Sequence, residues 1–568
     1  MAKFQILRTF LRRWWHLTAP FWRSKERWKA GGLLALAMAF NIANIYMTVR
    51  LNTWSRDFFN ALEERNGDEF AYQLGLLFGL ATVSMLLFAN QKYLCGRAIL
   101  LWRRWLSAHY VTGWFTSKAY YREAFVPHID NPDQRIAEDL QLFPSLTITM
   151  IFDFVDSFGS LGAFSVILWG LSESYLVFGT TIPGFILWIA LFFVIIGTGL
   201  IDRVGRPLVG IERQTQKSEA DYRRALIRVQ EYAKEIGAYE GDAREEETLR
   251  EKFAHVYAIW IKSLLKKRQL SYFNFGYAQF SGIVPYLLAA PKYFSGAFQM
   301  GDMMQTVTAF NGVRVSLSWF ILNYAKLAEW QATVDRLTQF GEVLGEAPSA
   351  GKFVYSRSAS PDMQLEGVTI ALPDGRLLAE NLHASFPCGQ RTVLAGPSGA
   401  GKSTLFYILR GIWPYGEGTI HVPEGTRLFL SQKPYLPVGT IQEILSYPGE
   451  KKVLPPQRLA AILQAVELEH LFPERSTEKN WTMVLSPGEQ QRLALGRLWA
   501  QEPAWAFLDE SLSAIDAPRA ARILERLRHD YPAMSVCGIE HHQVNLAFYD
   551  QILHWEDLGT ARKTAPES

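Results

Sequence analysis

The sequence is poor in cysteine and nearly balanced in charge. Only three cysteines occur in 568 residues, Cys95, Cys388 and Cys537, and they lie far apart. Such spacing forms neither a metal-binding motif nor a disulfide framework, which is typical of a protein that faces the cytosol. The formal net charge of +3 gives no strong basic excess, so nucleic acid is not predicted as a partner.

Charge is also absent from four long stretches, residues 30–49, 70–91, 174–201 and 269–291. Each can cross a hydrocarbon core of about 30 Å as a helix, which takes about 20 residues. Two further apolar stretches contain few charges: Asp153 and Asp156 in the first, and Arg314 in the second. The sequence therefore predicts six membrane spans, approximately 29–50, 70–92, 145–171, 175–201, 270–295 and 303–326.

Residues 3–29, before the first span, are basic and aromatic. They lack the apolar core and small-residue cleavage site of a secretory signal. An interfacial helix on the cytoplasmic leaflet is predicted here, and a disordered basic tail is the alternative.

Lys and Arg are concentrated in residues 92–143 and 202–268 and are missing from residues 172–174 and 296–302. The positive-inside rule then places both termini in the cytoplasm. The two basic segments are predicted to continue the spans as long helices. Two small cytosolic domains are the alternative interpretation.

The pattern changes after a glycine- and proline-containing stretch near residue 350. From Met363 onward, short apolar runs alternate with helical stretches, which is typical of an α/β domain. We predict a transmembrane domain over 1–335, a linker over 336–360, a nucleotide-binding domain over 361–560 and a tail over 561–568.

Residues 396–404 read GPSGAGKST, a phosphate-binding loop that follows the apolar run 391–395. Its glycines let backbone amides surround phosphate, Lys402 adds positive charge, and Ser403 offers a hydroxyl to Mg²⁺. A plain glycine turn before a helix is the alternative. The predicted ATP- and Mg²⁺-binding residues here are Gly396, Pro397, Ser398, Gly399, Ala400, Gly401, Lys402, Ser403 and Thr404.

A second apolar run, residues 505–508, ends in Asp509 and Glu510. An acid at such a strand end can hold Mg²⁺, so Asp509 is the predicted metal ligand. Glu510 is the predicted catalytic base that polarises the attacking water. Two solvated carboxylates with no such role are the alternative.

Residues 485–492, LSPGEQQR, resemble the signature motif of ABC ATPases. The resemblance implies that Ser486, Gly488 and Glu489 bind nucleotide. It further implies that Gln432 is the Q-loop glutamine that senses Mg²⁺, and that residues 513–516 form the D-loop.

The sequence departs from the family pattern at two places. The switch histidine is His541 by its distance from residues 548–550, although His542 fits too. Residues 368–373 offer no aromatic side chain to stack on adenine, so Leu372 or a neighbour is expected to make apolar contact instead.

Four further motifs, two in the membrane half and two after the phosphate loop, resemble the SbmA/BacA-related, YddA-like branch, which is related to the peroxisomal fatty-acyl (ABCD-type) transporters. They are residues 51–59, 131–139, 411–414 and 435–440. The resemblance implies a six-span, exporter-like α-helical transmembrane domain followed by an α/β P-loop ABC ATPase domain. Residues 131–139 are expected near the contact with the ATPase. One phosphate loop and one signature motif per chain imply a homodimer of half-transporters.

Polar residues inside the predicted spans are candidates for a substrate cavity, because charge is costly at mid-membrane. These candidates are Asp153, Asp156, Asn311, Arg314 and Asn323. An internal ion pair of Arg314 with Asp153 or Asp156 is the alternative.

The expected function is ATP-driven transport across the bacterial inner membrane, in contact with membrane lipid. The resemblance favours uptake of hydrophilic cargo such as cobalamin or peptides. Export of lipid or fatty-acyl compounds is one alternative, and a non-transporting ATPase that regulates a partner is another.

Overall fold

The computed structural model describes residues 2–122, 132–172, 176–177, 180–319, 323–345, 352–357, 360–450, 453–540 and 543–559. The chain divides into two compact units. The first comprises Met1–Thr112 and Ile129–Glu342, and the second comprises Gly113–His128 and Val343–Ser568.

The first unit is built from long helices. They are α1 (Ala2–Arg23), α2 (Arg27–Glu63), α3 (Gly67–Thr116), α4 (Leu140–Leu171), α5 (Phe185–Glu231), α6 (Asp242–Phe294), α7 (Met300–Leu317) and α8 (Tyr324–Gly345). Two basic segments are helical well beyond the predicted spans, along α3 and along α5 and α6. These residues are helical, and their position as cytoplasmic extensions of the spans stays a prediction.

Four helices in the described part of the chain are long and apolar enough to cross a membrane: Arg27–Glu63, Gly67–Thr116, Pro132–Leu171 and Phe185–Glu231. The predicted span 270–295 lies on α6. Two predicted boundaries differ from the structure. Residues 176–177 and 180–181 pair as a short hairpin, so the fourth span begins at Phe185 rather than at 175. The helix predicted over 303–326 ends at Leu317, and α8 begins separately at Tyr324.

Close contacts hold α4, α5 and α7 together through a buried apolar cluster that includes Phe164, Ile186 and Phe310. Gly312 of α7 lies against the ring of Phe164, where an added Cβ would come within 2.2 Å of a ring carbon. Small residues that let helices approach closely are the usual basis of helix association in a bilayer, where the hydrophobic effect contributes little.

The N-terminal segment is the helix α1 rather than an irregular tail. Phe21 stacks on Trp102 of α3 at a centroid distance of 5.2 Å, and Phe10 meets the edge of Trp330 of α8 at 4.9 Å. Its aromatic residues therefore partly pack within the unit, and Trp15 remains 57% exposed. The interfacial position of this helix stays a prediction.

The second unit contains two sheets. Its strands are β1 (Lys352–Arg357), β2 (Met363–Ala371), β3 (Leu377–Phe386), β4 (Arg391–Ala395), β5 (Gly416–Val422), β6 (Arg427–Leu430), β7 (Trp505–Asp509), β8 (Ser535–Ile539) and β9 (Gln551–His554). One sheet is parallel, with order β9-β4-β8-β7-β6, and the other has order β1-β5-β2-β3. Near-continuous apolar runs suit the parallel strands because both faces of such a sheet are buried.

Helices cover the sheets. They are α9 (Lys402–Arg410), α10 (Ile441–Ser446), α11 (Pro456–Ala465), α12 (Pro487–Gln501) and α13 (Ala517–Asp530). The predicted α/β architecture and its strands are confirmed.

Segment boundaries around the second unit differ from the prediction. The predicted linker 336–360 is helical through Gly345, and Lys352–Arg357 pairs with β5 as a strand of the unit. The described part of residues 113–128 also belongs to this unit, where Lys118 Nζ donates to Gly411 O at 3.2 Å. Residues 132–139 group with the first unit, and their expected position near the ATPase contact stays a prediction.

A buried ion cluster joins the start of α4 to α8 in the first unit. Asp139 is 2% exposed and ends a short π-helical turn, Arg135–Asp139. Arg336 of α8 donates to both of its carboxylate oxygens, at 2.6 and 2.8 Å, and Arg135 donates at 2.7 Å. A carboxylate held by two guanidinium groups is a strong, directional contact because each hydrogen bond is charge-assisted.

We expect Asp139→Asn to lower the stability of the transporter markedly, because it removes the buried negative charge that both guanidinium groups contact. The loss should be somewhat below the roughly 3–5 kcal/mol typical of breaking a fully buried pair, since the Arg336 side chain is 34% exposed. The thermal midpoint of the purified protein in detergent measures it.

Asp335→Asn is the matched control, because Asp335 is adjacent to Arg336 but pairs with Arg13 at the surface. Exposed pairs contribute about 0–1 kcal/mol, so this variant should hardly shift the midpoint. Equal shifts for the two variants would contradict a stabilising role for the buried cluster.

Candidate functional site

The phosphate loop follows the carboxyl end of β4 and leads into α9. Gly399 and Gly401 have φ of +78° and +102°, conformations that side chains with a Cβ rarely adopt. The loop is exposed from Gly396 to Gly399, and α9 begins at Lys402 with Gly401 as its N-cap. Backbone amides at a helix start attract anions through their free N–H groups and the helix dipole.

Lys402 turns back over this loop. Its side chain is buried, and Nζ donates to Gly396 O at 2.6 Å and to Pro397 O at 3.0 Å. Burial lowers the pKa of Lys402, while the nearby charges of Glu510 and Asp509 act in the opposite direction. The Lys402 ammonium is therefore held in place by two backbone carbonyls of the phosphate loop.

Ser403 and Asp509 meet across the sheet edge. Ser403 Oγ donates to Asp509 Oδ1 at 2.8 Å. Burial raises the pKa of Asp509, the hydrogen bond from Ser403 lowers it, and the charge of Glu510 raises it further. A hydroxyl and a carboxylate oxygen at this separation are ligands of the type that Mg²⁺ prefers, so the residues present fit a magnesium ion.

Glu510 follows β7 in a left-handed conformation, with φ of +47°. Its N–H donates to Ile539 O of β8 at 3.1 Å, and its Oε2 accepts from Gln432 Nε2 at 2.9 Å. The parallel register explains the second contact: Leu430 pairs with Leu508, so residues two positions beyond each lie side by side. Gln432 and Glu510, predicted separately, are thus brought together.

The signature residues form the start of α12. Ser486 is the N-cap, its Oγ accepts from Glu489 N at 3.4 Å, and Glu489 Oε2 accepts from Ser486 N at 2.9 Å. Hydrogen bonds from the Ser486 side chain and backbone lower the pKa of Glu489. Ser486 itself is exposed. Glu489 therefore closes a capping box, a structural role that the sequence resemblance did not include.

The predicted site residues form two groups. Lys402, Ser403, Asp509, Glu510 and Gln432 lie together, whereas no hydrogen bond of the described residues links Ser486 or Gly488 to the phosphate loop. His541 and His542 lie outside the described residues. Leu372 lies just beyond β2, half-buried beside the core of the second unit.

One residue was missed by motif reasoning. Gln491, inside the signature stretch, is 3% exposed and makes hydrogen bonds to three backbone or side-chain groups elsewhere in the unit. The only indication in the sequence that Gln491 belongs to the site is its position within residues 485–492.

The cavity candidates lie in the first unit. Asp153 and Asp156 are on α4, half-buried and exposed respectively. Arg314 Nε donates to Asn311 Oδ1 at 3.3 Å, and Asn323 Nδ2 donates to Trp319 O at 3.1 Å. Arg314, Asp153 and Asp156 are all among the described residues, and no ion pair joins Arg314 to either aspartate there, so the alternative of an internal ion pair is not supported.

Comparison with known proteins gives two family matches, ABC transporter transmembrane region 2 over residues 18–294 and ABC transporter over residues 379–513. The chain is similar to the inner membrane ABC transporter ATP-binding protein YddA of Escherichia coli, with 32% identity over 94% of this chain and 96% of the relative. It is 27% identical to ABC transporter D family member 2 of Arabidopsis thaliana, over 96% of this chain and 86% of the relative.

Its fold resembles that of a bacterial Atm1-family ABC exporter, with a TM-score of 0.74 at 17% identity over 94% of both chains. The matches to membrane and ATPase regions mean that ATP binding and hydrolysis are coupled to transport by a membrane-embedded protein. The chain belongs to the ABC transporters, as a half-transporter of the YddA-like branch that is related to the D family.

Proposed function

We propose that this chain acts as a homodimer that takes up hydrophilic cargo, with each ATP bound between the phosphate loop of one copy and the signature helix of the other. The observation that carries the proposal is the separation of the two motifs. The chain has one of each, both are exposed at their tips, and neither is hydrogen-bonded to the other. A second copy supplies the missing half of each site.

The surface beside the signature helix supports an interface there. Met483 is 82% exposed and Val484 is 59% exposed, immediately before the N-cap Ser486. Burial of such side chains against another chain is favourable because it removes apolar area from water, at roughly 25 cal/mol per Å². A second copy of the ATPase unit is the occupant that we propose for this surface.

Within each site, different residues of the chain have different roles in ATP hydrolysis. Lys402 and the loop amides bind the phosphates, and Ser403, Asp509 and Gln432 hold Mg²⁺, which neutralises phosphate charge when bound. Glu510 orients and deprotonates the attacking water, with Gln432 fixing its carboxylate. His541 is the proposed switch residue, and Leu372 the proposed apolar contact for adenine.

The proposed cargo path lies among the polar residues of the first unit. Arg314 bonds to Asn311 rather than to an acidic partner, and Asp153 and Asp156 remain on a largely apolar helix. Charged groups kept at such positions are costly unless they face water or a polar ligand. This supports hydrophilic cargo over lipid, whose export is the alternative.

The proposed location is a bacterial inner membrane, with both termini and the ATPase units in the cytoplasm. The concentration of Lys and Arg in residues 92–143 and 202–268 supports this orientation. Uptake then moves cargo toward the side on which ATP is bound.

Two inactive variants should restore activity when they are combined in one dimer. Lys402→Ala disables the phosphate loop and Ser486→Arg blocks the signature helix, so each homodimer has no intact site. A mixed dimer pairs the normal loop of one copy with the normal signature of the other. ATPase activity of tandem-tagged mixed dimers measures this.

The mixed dimer should regain close to half of the wild-type rate if its single intact site works independently. Phosphate-loop and signature variants that fail to complement each other would contradict sites shared between copies. A mixture of two Lys402→Ala copies is the control and should remain inactive.

Glu510→Gln should slow hydrolysis strongly while ATP still binds, because the amide cannot accept the proton of the attacking water. We expect a loss of about 10²–10⁴-fold in kcat, measured as phosphate release alongside equilibrium binding of labelled ATP. Glu502→Gln, at the exposed end of α12 where Glu502 pairs with Arg458, is the control and should leave the rate unchanged. Normal hydrolysis by the Glu510 variant would exclude this residue as the base.

Arg314→Leu should abolish transport without abolishing ATP hydrolysis, and Arg314→Lys, which keeps the charge, should retain transport. Proteoliposomes with ATP added outside energise only the transporters whose ATPase faces outward. Cargo of an uptake system then leaves the lumen, whereas cargo of an exporter accumulates in it. Labelled cobalamin, a bleomycin-like peptide and an acyl-CoA are the test compounds.

Efflux of cobalamin or peptide from the lumen, lost in Arg314→Leu, is the expected result. Accumulation of acyl-CoA instead would favour the alternative of lipid export. Equal transport by the Leu and wild-type proteins would remove Arg314 from the cargo path.

A further inference from the structure

Gln491 lies one and a half turns into α12 with its side chain almost fully buried. Its Nε2 donates to the backbone carbonyl of Gln432 at 2.9 Å and to Ser513 Oγ at 3.1 Å. Its Oε1 accepts from the backbone N–H of Ala514 at 2.8 Å. The orientation of the amide follows from these partners, since a carbonyl can only accept and a backbone N–H can only donate.

These partners belong to the two segments that flank Glu510. Gln432 gives its own side-chain amide to Glu510 Oε2, at 2.9 Å. Ser513 closes the turn after Glu510, with its N–H donating to Glu510 O at 3.1 Å. One buried side chain thus fixes both the residue that holds the Glu510 carboxylate and the turn that holds its backbone.

The start of α12 is also tied to the same turn. Gly488, one turn before Gln491, lies so close to Ala514 that a Cβ at this position would come within 2.7 Å of the Ala514 carbonyl oxygen. The signature end of α12 is therefore in close contact with Ala514 and is linked to Gln432 through Gln491.

We propose that Gln491 is a positioning residue for ATP hydrolysis: it links the signature helix to Gln432 and to residues 513–514, and thereby sets the position of Glu510. The proposal rests on the role of Glu510 as the base in the proposed function. Gln491 does not itself contact the reacting atoms. It acts because a displacement of about 1 Å in a reacting group can lower a rate by about a hundredfold.

Two substitutions separate its contacts. Gln491→Leu removes all three hydrogen bonds with little change in volume. Gln491→Glu keeps an acceptor for the Ala514 N–H and can accept from the Ser513 hydroxyl, but it cannot donate to the Gln432 carbonyl, so the link to Gln432 is lost. The Leu variant should show the larger defect.

Gln501→Leu is the matched control, because it too removes a side-chain amide and leaves its hydrogen-bond partners without that donor. Gln501 lies on the same helix, and its Nε2 donates to two backbone carbonyls, those of Leu445 at 3.0 Å and Tyr447 at 2.7 Å. It has no contact with Gln432 or residues 513–514 among its hydrogen bonds. Its loss should lower thermal stability without a specific change in hydrolysis.

The test measures kcat and KM for ATP on the purified full-length protein in nanodiscs, together with its thermal midpoint. For Gln491→Leu we expect kcat to fall about tenfold to a hundredfold, with KM within about threefold of wild type, since Lys402 and the phosphate loop are untouched. Gln501→Leu should lose about as much thermal stability as Gln491→Leu but should keep the kcat of the wild type.

The kcat of a double variant distinguishes a positioning role of Gln491 from a purely structural one. Residues that act as a unit are non-additive, so Gln491→Leu should cause no further loss in the Glu510→Gln background. Multiplying effects, or an equal fall in kcat for Gln491→Leu and Gln501→Leu, would overturn the proposal. An active Glu510→Gln protein would overturn the assignment of the base, whereas an inactive one beside a normal Gln491→Leu protein overturns only this inference.

Discussion

The parallel order of the five-stranded sheet is the constraint on which the ATP site depends. Because β4, β8, β7 and β6 run in the same direction, the residues that follow their carboxyl ends converge on one edge. The phosphate loop follows β4, Asp509 ends β7, and Gln432 follows β6. A change in the direction of any of these strands would move its residue to the opposite edge of the sheet.

This convergence also concentrates charge. Lys402, Asp509 and Glu510 act on one another electrostatically, and burial opposes the charged forms of both Lys402 and Asp509. Glu510 adds backbone strain, since a left-handed conformation is uncommon for a residue with a Cβ. Hydrogen bonds from its N–H to β8 and from Gln432 to its carboxylate hold it there. Such an arrangement is typical of a site whose geometry is selected for catalysis rather than for stability.

Local patterns predicted the strands and the phosphate loop well, because each depends on residues near one another in sequence. They failed where contacts between residues distant in sequence determine the local structure. Residues 176–177 and 180–181 lie in a stretch without charge but pair as a hairpin, and the helix that begins at Met300 ends before Ser318 with no Pro or Gly at that position to mark its end. The partners of Gln491 lie 59, 22 and 23 residues away, so no local pattern reveals them.

Two residues near the start of α12 differ in exposure: one is accessible to a partner, and the other is buried beside Glu510. Ser486, at the N-cap, faces solvent, whereas Gln491, about 7.5 Å further along at 1.5 Å per residue, is buried against the turn beside Glu510. In the proposed homodimer the second copy engages the exposed end, and the buried amide links that end to Gln432. The proposed dependence of hydrolysis on two copies thus has a physical basis in the fold of one copy.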